Sequence, residues 1–180
     1  AVPSLAVTGR PPEGESGAAG GASGEILVGE FGSFTGSEAT FGKSTHEGAM
    51  MAIEDINKTG IRSMGGAKLD VMLGDAQSTP QAGAAEIEKM NEAGVSAVVG
   101  AFASAICLAT TQAAAKYNLP HVVDIGVADQ IVERGLKNSF RFGPGYRTCA
   151  QVAMANLHVL NTAAGKPAKT VMIIHEESLF

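Results

Sequence analysis

Ser104 is the residue of this chain best placed to meet a ligand. It closes the stretch Val95-Ser-Ala-Val-Val-Gly-Ala-Phe-Ala-Ser104, which reads as a buried apolar strand at 95–99, a turn loosened by Gly100, and the start of a helix. A serine there caps the helix, and the free amides of a helix start favour an anion. The two roles are compatible, so a small anionic ligand is expected over this turn. Other chemistries fit less well. Ala101-Phe-Ala-Ser-Ala-Ile106 is not the G-x-S-x-G of a nucleophile elbow. His121 and Asp124 stand three apart in one expected strand and make a poor acid–base pair for it. His46-Glu47 and His175-Glu176 open like H-E-x-x-H, but Met50 and Leu179 stand where the second histidine belongs. His46 reads instead as exposed near a helix start, and His175 as a strand end. Gly29, Gly32 and Gly36 match no phosphate-binding spacing and read as glycines of a mobile loop. A phosphoacceptor domain needs an aspartate after the third strand, where Gly100-Ala-Phe stands; Asp75 ends the second strand and reads as a cap or a solvent-facing residue.

The elements that position Ser104 alternate. Strands are expected at 26–31, 68–74, 95–99, from about 120 to 125, at 139–143 and at 169–175. Helices are expected at about 44–59, from Pro80 to Gly94 with Thr79 as cap, after Ser104, as a short turn within 127–134, and at 146–164. Ala84, Ile87 and Met90 face inward on the second of these. Cys149, Val152, Ala153, Leu157 and Leu160 share one face of the last. Alternation of this kind gives an α/β fold, a doubly wound parallel sheet with helices on both faces. The expected strand order is 2-1-3-4-5, with the chain reversing between strands one and three. Ligands of such sheets bind at the carboxyl ends beside that reversal. The loops at 32–43, 100–104 and 125–127 converge there, which brings Phe41, Phe102, Ser104, Ile125 and Val127 together. Phe34, Phe41 and Phe102 all fall in these loops. Loop aromatics commonly pack onto the core, yet three around one crevice also suit an apolar pocket wall.

Bulk properties narrow the classes. The chain has 180 residues, is 45% apolar and 17% charged, and carries a net charge of −5. That is one ordinary globular domain without the basic face that nucleic acid requires. No apolar run approaches the roughly 20 residues of a membrane span. Cys107 and Cys149 and the four histidines lack metal-ligand spacing, so no metal or cofactor is expected. Both cysteines fall on expected helices, which favours burial as small apolar residues over a disulfide. Residues 1–24 read as a disordered lead-in rich in glycine and proline, consistent with what remains after a secretory signal is removed.

Several stretches resemble one family. Ile26-Leu-Val-Gly-Glu-Phe-Gly-Ser-Phe-Thr-Gly36, Phe41-Gly42 and Gly48-Ala-Met-Met-Ala-Ile-Glu-Asp-Ile-Asn57 are similar to the start of the bacterial leucine/isoleucine/valine-binding proteins. The likeness continues through Val98-Val-Gly-Ala-Phe-Ala-Ser104, Leu119-Pro120, Ala128-Asp-Gln-Ile-Val-Glu-Arg-Gly135, Arg141-Phe142 and Val171-Met-Ile-Ile-His175. The resemblance implies the type I periplasmic-binding-protein fold: a two-lobed clamp, without catalysis, that serves a membrane permease of an ABC importer from the periplasm. It implies that Ser104 holds a ligand carboxylate, that Ile125 and Val127 contribute backbone contacts, and that Phe41 and Phe180 stack on the ligand. Residues 25–145 would form an incomplete N-terminal lobe, and 146–180 the crossover helix and first strand of a second. Family members are about twice as long, which implies a chain that stops where the second lobe begins. The family hydroxyl that helps hold a ligand ammonium is missing at Val127, so a carboxylate without the amine, an aromatic one included, competes with an amino acid. The family's cysteine pair is also missing. A ligand-sensing domain of a regulator or receptor with the same fold is the alternative reading.

Overall fold

A computed structural model describes residues 24–165, 167–175 and 177. The expected lead-in, apart from Gly24, and Phe180 lie outside the described residues. The elements are β1 (Glu25–Gly32), α1 (Ala39–Thr59), a single 3-10 turn (Arg62–Met64), β2 (Lys68–Asp75), α2 (Pro80–Glu92), β3 (Val98–Val99), α3 (Ser104–Lys116), β4 (His121–Val123), α4 (Gln130–Glu133), β5 (Ser139–Arg141) and α5 (Tyr146–Ala163). The five strands form one parallel sheet in the order β2-β1-β3-β4-β5. This is the expected doubly wound arrangement, with its reversal between β1 and β3.

Side-chain alternation along the strands assigns the helices to faces. Gly29 packs against Met90 of α2 and Val98 of β3. Its neighbour Glu30 points the other way and meets His46 of α1. So α1 covers one face over β1 and β2, and α2 and α3 cover the opposite face. That second face carries the core: Ile87, Met90, Val98, Ile106, Cys107 and Val123 are fully or almost fully buried. Ala84 is only partly so. Local signals seat α2 as expected, with Pro80 in its first turn and Thr79 Oγ1 accepting the amide of Ala82 at 3.2 Å.

Several expectations are corrected. Helix α1 begins at Ala39, not Ser44, so the loop after β1 is short and Phe41 lies in the first helical turn. Gly42 is the reason: a methyl group there would overlap the Ser33 backbone, so this glycine permits helix–strand contact and is no loop marker. Strand three narrows to Val98–Val99, although its bonding to β1 begins at Ser96, whose amide donates to Leu27 O at 2.8 Å. The expected strand at 169–175 has no ladder. Val171 through Ile174 pair with no strand among the described residues and are exposed; without a neighbour, extended apolar sequence has nothing to bond to. The apolar face of α5 is likewise uncovered among the described residues, and the helix has no buried residue. Cys107 is buried, but Cys149 is exposed on α5, and both are free thiols. Among the described residues no helix is long and apolar enough to cross a membrane.

Candidate functional site

The carboxyl edge of the sheet is built from three interlocked turns. Gly100 opens the turn after β3 at φ +140°, where a side chain would overlap the Phe31 carbonyl. Its own carbonyl is held by His121 Nε2 at 2.8 Å. His121 is fully buried, edge-on to Phe31 at 5.3 Å, and burial pushes its pKa down to about 4. The ring is therefore neutral near pH 7, and Nε2–H is the donor. Cys107, whose thiol burial pushes up to about 12, donates Sγ–H to Ala101 O at 3.1 Å.

Ser104 is not the cap of α3. Ala103 occupies that position with no side-chain bond, and Ser104 is the first helical residue. Its hydroxyl reaches across to the turn after β4 and accepts the amides of Val127 and Ala128, each at 3.1 Å. Gly126 N donates to Ala101 O at 3.1 Å beside them. The turns after β3 and β4 are thus zipped together, and Ser104 and Val127 meet as topology expects. Phe41 lies parallel to Phe102, with ring centroids 4.3 Å apart and planes 3° from parallel. That pair joins the start of α1 to the β3 turn and makes a flat apolar surface; Phe41 is half exposed.

Ile125 belongs to the same turn after β4 as Val127. It lines a cleft of about 450 Å³ between α1 and the ends of β1, β3 and β4, with Glu30, Thr45, Gly100, Asp124 and Phe142. Ser104, Val127, Phe41 and Phe102 are not among the residues lining it. Asp124 Oδ1 accepts the Ile125 amide at 2.9 Å. Burial raises the Asp124 pKa, and the charge of Glu30 adds to the rise.

Sequence reasoning passed over four supports of this edge. Asp75 neither caps a helix nor simply faces water. Its carboxylate accepts from Phe34 N at 2.9 Å, Thr35 N at 3.2 Å, Thr35 Oγ1 at 2.7 Å and Gln77 N at 2.9 Å. Partial burial pushes its pKa up, but the bonds from Thr35, Gln77 and Phe34 outweigh that and hold it below the usual value. His46 is not simply exposed: Nδ1 lies 2.8 Å from Glu30 Oε2, and Phe34 stacks edge-on at 5.6 Å. His121 and Arg141 are the other two. A histidine inside an apolar strand, and an arginine flanked by Phe140 and Phe142, are the signals that could have marked them. Ser104 bonds to backbone amides and makes no bond to His121, which leaves the nucleophile reading without its base.

The order β2-β1-β3-β4-β5 is shared by several doubly wound folds; likeness to solved structures identifies this one as the type I periplasmic-binding-protein fold. Residues 25–178 match the family described as periplasmic binding protein, and the chain belongs to it. The Leu/Ile/Val-binding protein homolog 7 of Brucella melitensis is 30% identical over 162 residues, covering 88% of this chain and 40% of that protein. The branched-chain amino acid transporter substrate binding protein of Streptococcus pneumoniae, solved with isoleucine, is 26% identical with a TM-score of 0.63. That match covers 67% of this chain and 34% of the other. An ABC-type branched-chain amino acid transporter of Rhodopseudomonas palustris is 30% identical with a TM-score of 0.60, covering 67% of this chain and 33% of the other. The chain thus spans about two fifths of the length of the curated relative it matches.

Proposed function

We propose that this chain belongs to the solute-binding component of an ABC importer. It works outside the cytoplasmic membrane, in the periplasm, and delivers a small carboxylate solute to a membrane permease. The solute is an amino acid or an aromatic acid. Residues 25–145 form the N-terminal lobe, residues 146–180 lead into a second, and the solute is held between them. Ser104, Phe41, Phe102, Ile125 and Val127 contact it from this lobe.

One observation carries the reading. Ser104 accepts two backbone amides, so both lone pairs of its hydroxyl are in use and only its proton is left to offer. A group that can only donate suits a carboxylate and does not suit an ammonium. The start of α3 adds the partial positive charge of a helix N-terminus. The Phe41–Phe102 surface supplies an apolar wall beside it. No hydroxyl stands at Val127, which removes one acceptor for an amine and favours solutes recognised through the carboxylate.

The test is calorimetry with L-isoleucine and 4-hydroxybenzoate, and with the neutral counterparts L-isoleucinamide and 4-hydroxybenzyl alcohol. At least one acid binds and its neutral counterpart does not. Ser104→Ala weakens that binding about tenfold or more, the loss of one charge-assisted hydrogen bond. Equal affinity for acid and neutral counterpart, or unchanged affinity in the variant, overturns the assignment.

A further inference from the structure

The turn that meets Ser104 is held from its other side by one arginine. Arg141 of β5 sends Nη1 to the carbonyls of Val127 at 3.2 Å and Ala128 at 3.0 Å, and Nε to Gly143 O at 3.1 Å. Its Nη2 lies 3.5 Å from Asp129 Oδ1, and its side chain is only 9% exposed. The start of α5 docks on the same turn: Tyr146 N donates to Val127 O at 3.1 Å, and Arg147 N to Asp129 Oδ2 at 3.3 Å.

The geometry couples Arg141 to Ser104 through a single rigid unit. The carbonyl of Val127 and the amide of Ala128 belong to one peptide group, which is planar. Arg141 grips its oxygen and Ser104 accepts its N–H. Rotating that plane to break one bond breaks the other. The guanidinium supplies donors in fixed directions, so the plane is set by a stiff fork, which a flexible ammonium would not provide. A serine in the first turn that loses its amide donors can turn its own proton onto a nearby backbone carbonyl, as serines in helices do. Its proton is then no longer available to a solute.

We propose that Arg141 is a positioning residue for the solute site: by fixing the Val127–Ala128 peptide it keeps Ser104 an acceptor of two amides and leaves the serine proton for the solute carboxylate. The solute half of this inference rests on the reading given under Proposed function; the coupling of Arg141 to Ser104 does not.

The experiment uses the full 180-residue chain and two variants, Arg141→Gln and Arg141→Lys. The second keeps the charge and stem and covers the case in which the first does not fold. Amide hydrogen exchange is read at Val127 and Ala128, and at Gly100 and His121 as core references. In Arg141→Lys, exchange at Val127 and Ala128 speeds up at least about tenfold while Gly100 and His121 keep their protection. Affinity for whichever of L-isoleucine or 4-hydroxybenzoate the wild type binds falls about tenfold. Unchanged exchange at Val127 and Ala128 overturns the inference. Equal acceleration at the core references also overturns it, because that is loss of general stability. Faster exchange at the turn with unchanged affinity overturns the solute half. If the wild type binds neither probe, the reading of the site fails, while the exchange measurement still decides whether Arg141 sets the Ser104 turn.

Discussion

The two faces of the sheet carry similar side chains and meet different fates. On the α2–α3 face, Val98, His121 and Val123 are sealed under helices. On the α1 face, the register partners Val99, Val122 and Phe140 continue the same strands, yet Val122 is 38% and Phe140 56% exposed. Helix α1 covers β1 and β2 and leaves β4 and β5 bare on that side. The apolar stripe of α5 is equally uncovered. Apolar sequence on a strand or helix therefore records a demand for cover; what stabilises the fold is the cover itself.

The sharpest test of that contrast sets one residue from each region side by side. Ile87 is fully buried between α2 and the sheet, whereas Leu160 on α5 is 67% exposed. Ile87→Ala should cost about 2–5 kcal/mol, because transfer and cavity terms add. Leu160→Ala should fall within about 0.5 kcal/mol of the wild type, as surface changes do. Urea unfolding of both variants measures the gap. A cost at Leu160 that approaches the cost at Ile87 would break the comparison and show α5 to be covered in solution.

A second test uses pH. His121 belongs to the sealed face, and burial pushes its pKa down from 6.5 to about 4. The unfolded chain takes up a proton at this residue near pH 6.5, and the folded chain does so only near pH 4. Between those values the unfolded state binds more protons, so stability falls as the pH is lowered through the window. The loss reaches up to about 3 kcal/mol. Asp124, on the other face and with a raised pKa, runs in the opposite sense: protonating it at low pH relieves a cost in the folded state. The expected result is a net fall in unfolding free energy from pH 6.5 to 4 that flattens in His121→Gln. A slope unaffected by that substitution would assign the titration to other groups.

The same contrast explains what the sequence could and could not reveal. Alternation of apolar runs with helical spacing was enough for the strand order and for the meeting of Ser104 with Val127, because crossover rules leave few topologies. The Thr79–Pro80 start of α2 was legible because capping is a local property. The start of α1 was not: Gly42 looks the same in a one-dimensional reading whether it breaks a helix or admits a neighbouring backbone. Ser104 is no cap of its own helix: the amides its hydroxyl accepts lie 23 and 24 positions on, beyond the reach of local pattern. Arg141 and Asp75 act on backbone atoms of distant turns; the phenylalanines beside Arg141 mark it as unusual, but no side-chain pattern names those partners. The apolar run at 169–175 satisfied every local criterion for a strand except a neighbour.

The smallest expected effect lies at the pair that joins two of the turns. Phe41 is half exposed and lies parallel against Phe102. Removing the ring in Phe41→Ala forfeits a stacking contact worth about 0.5–1.5 kcal/mol beyond the burial of area. That loss is small beside the one expected at Ile87, so the variant folds. A stability change near 1 kcal/mol puts Phe41 with the half-covered side of the molecule. If the ring also walls the solute site, affinity falls more for 4-hydroxybenzoate than for L-isoleucine, because a flat ring loses a face to stack on whereas a branched chain loses only contact area. Calorimetry with both solutes, beside the melting temperature, separates the two roles. Equal losses for both solutes would leave Phe41 as a brace between α1 and the β3 turn and would take it out of the site.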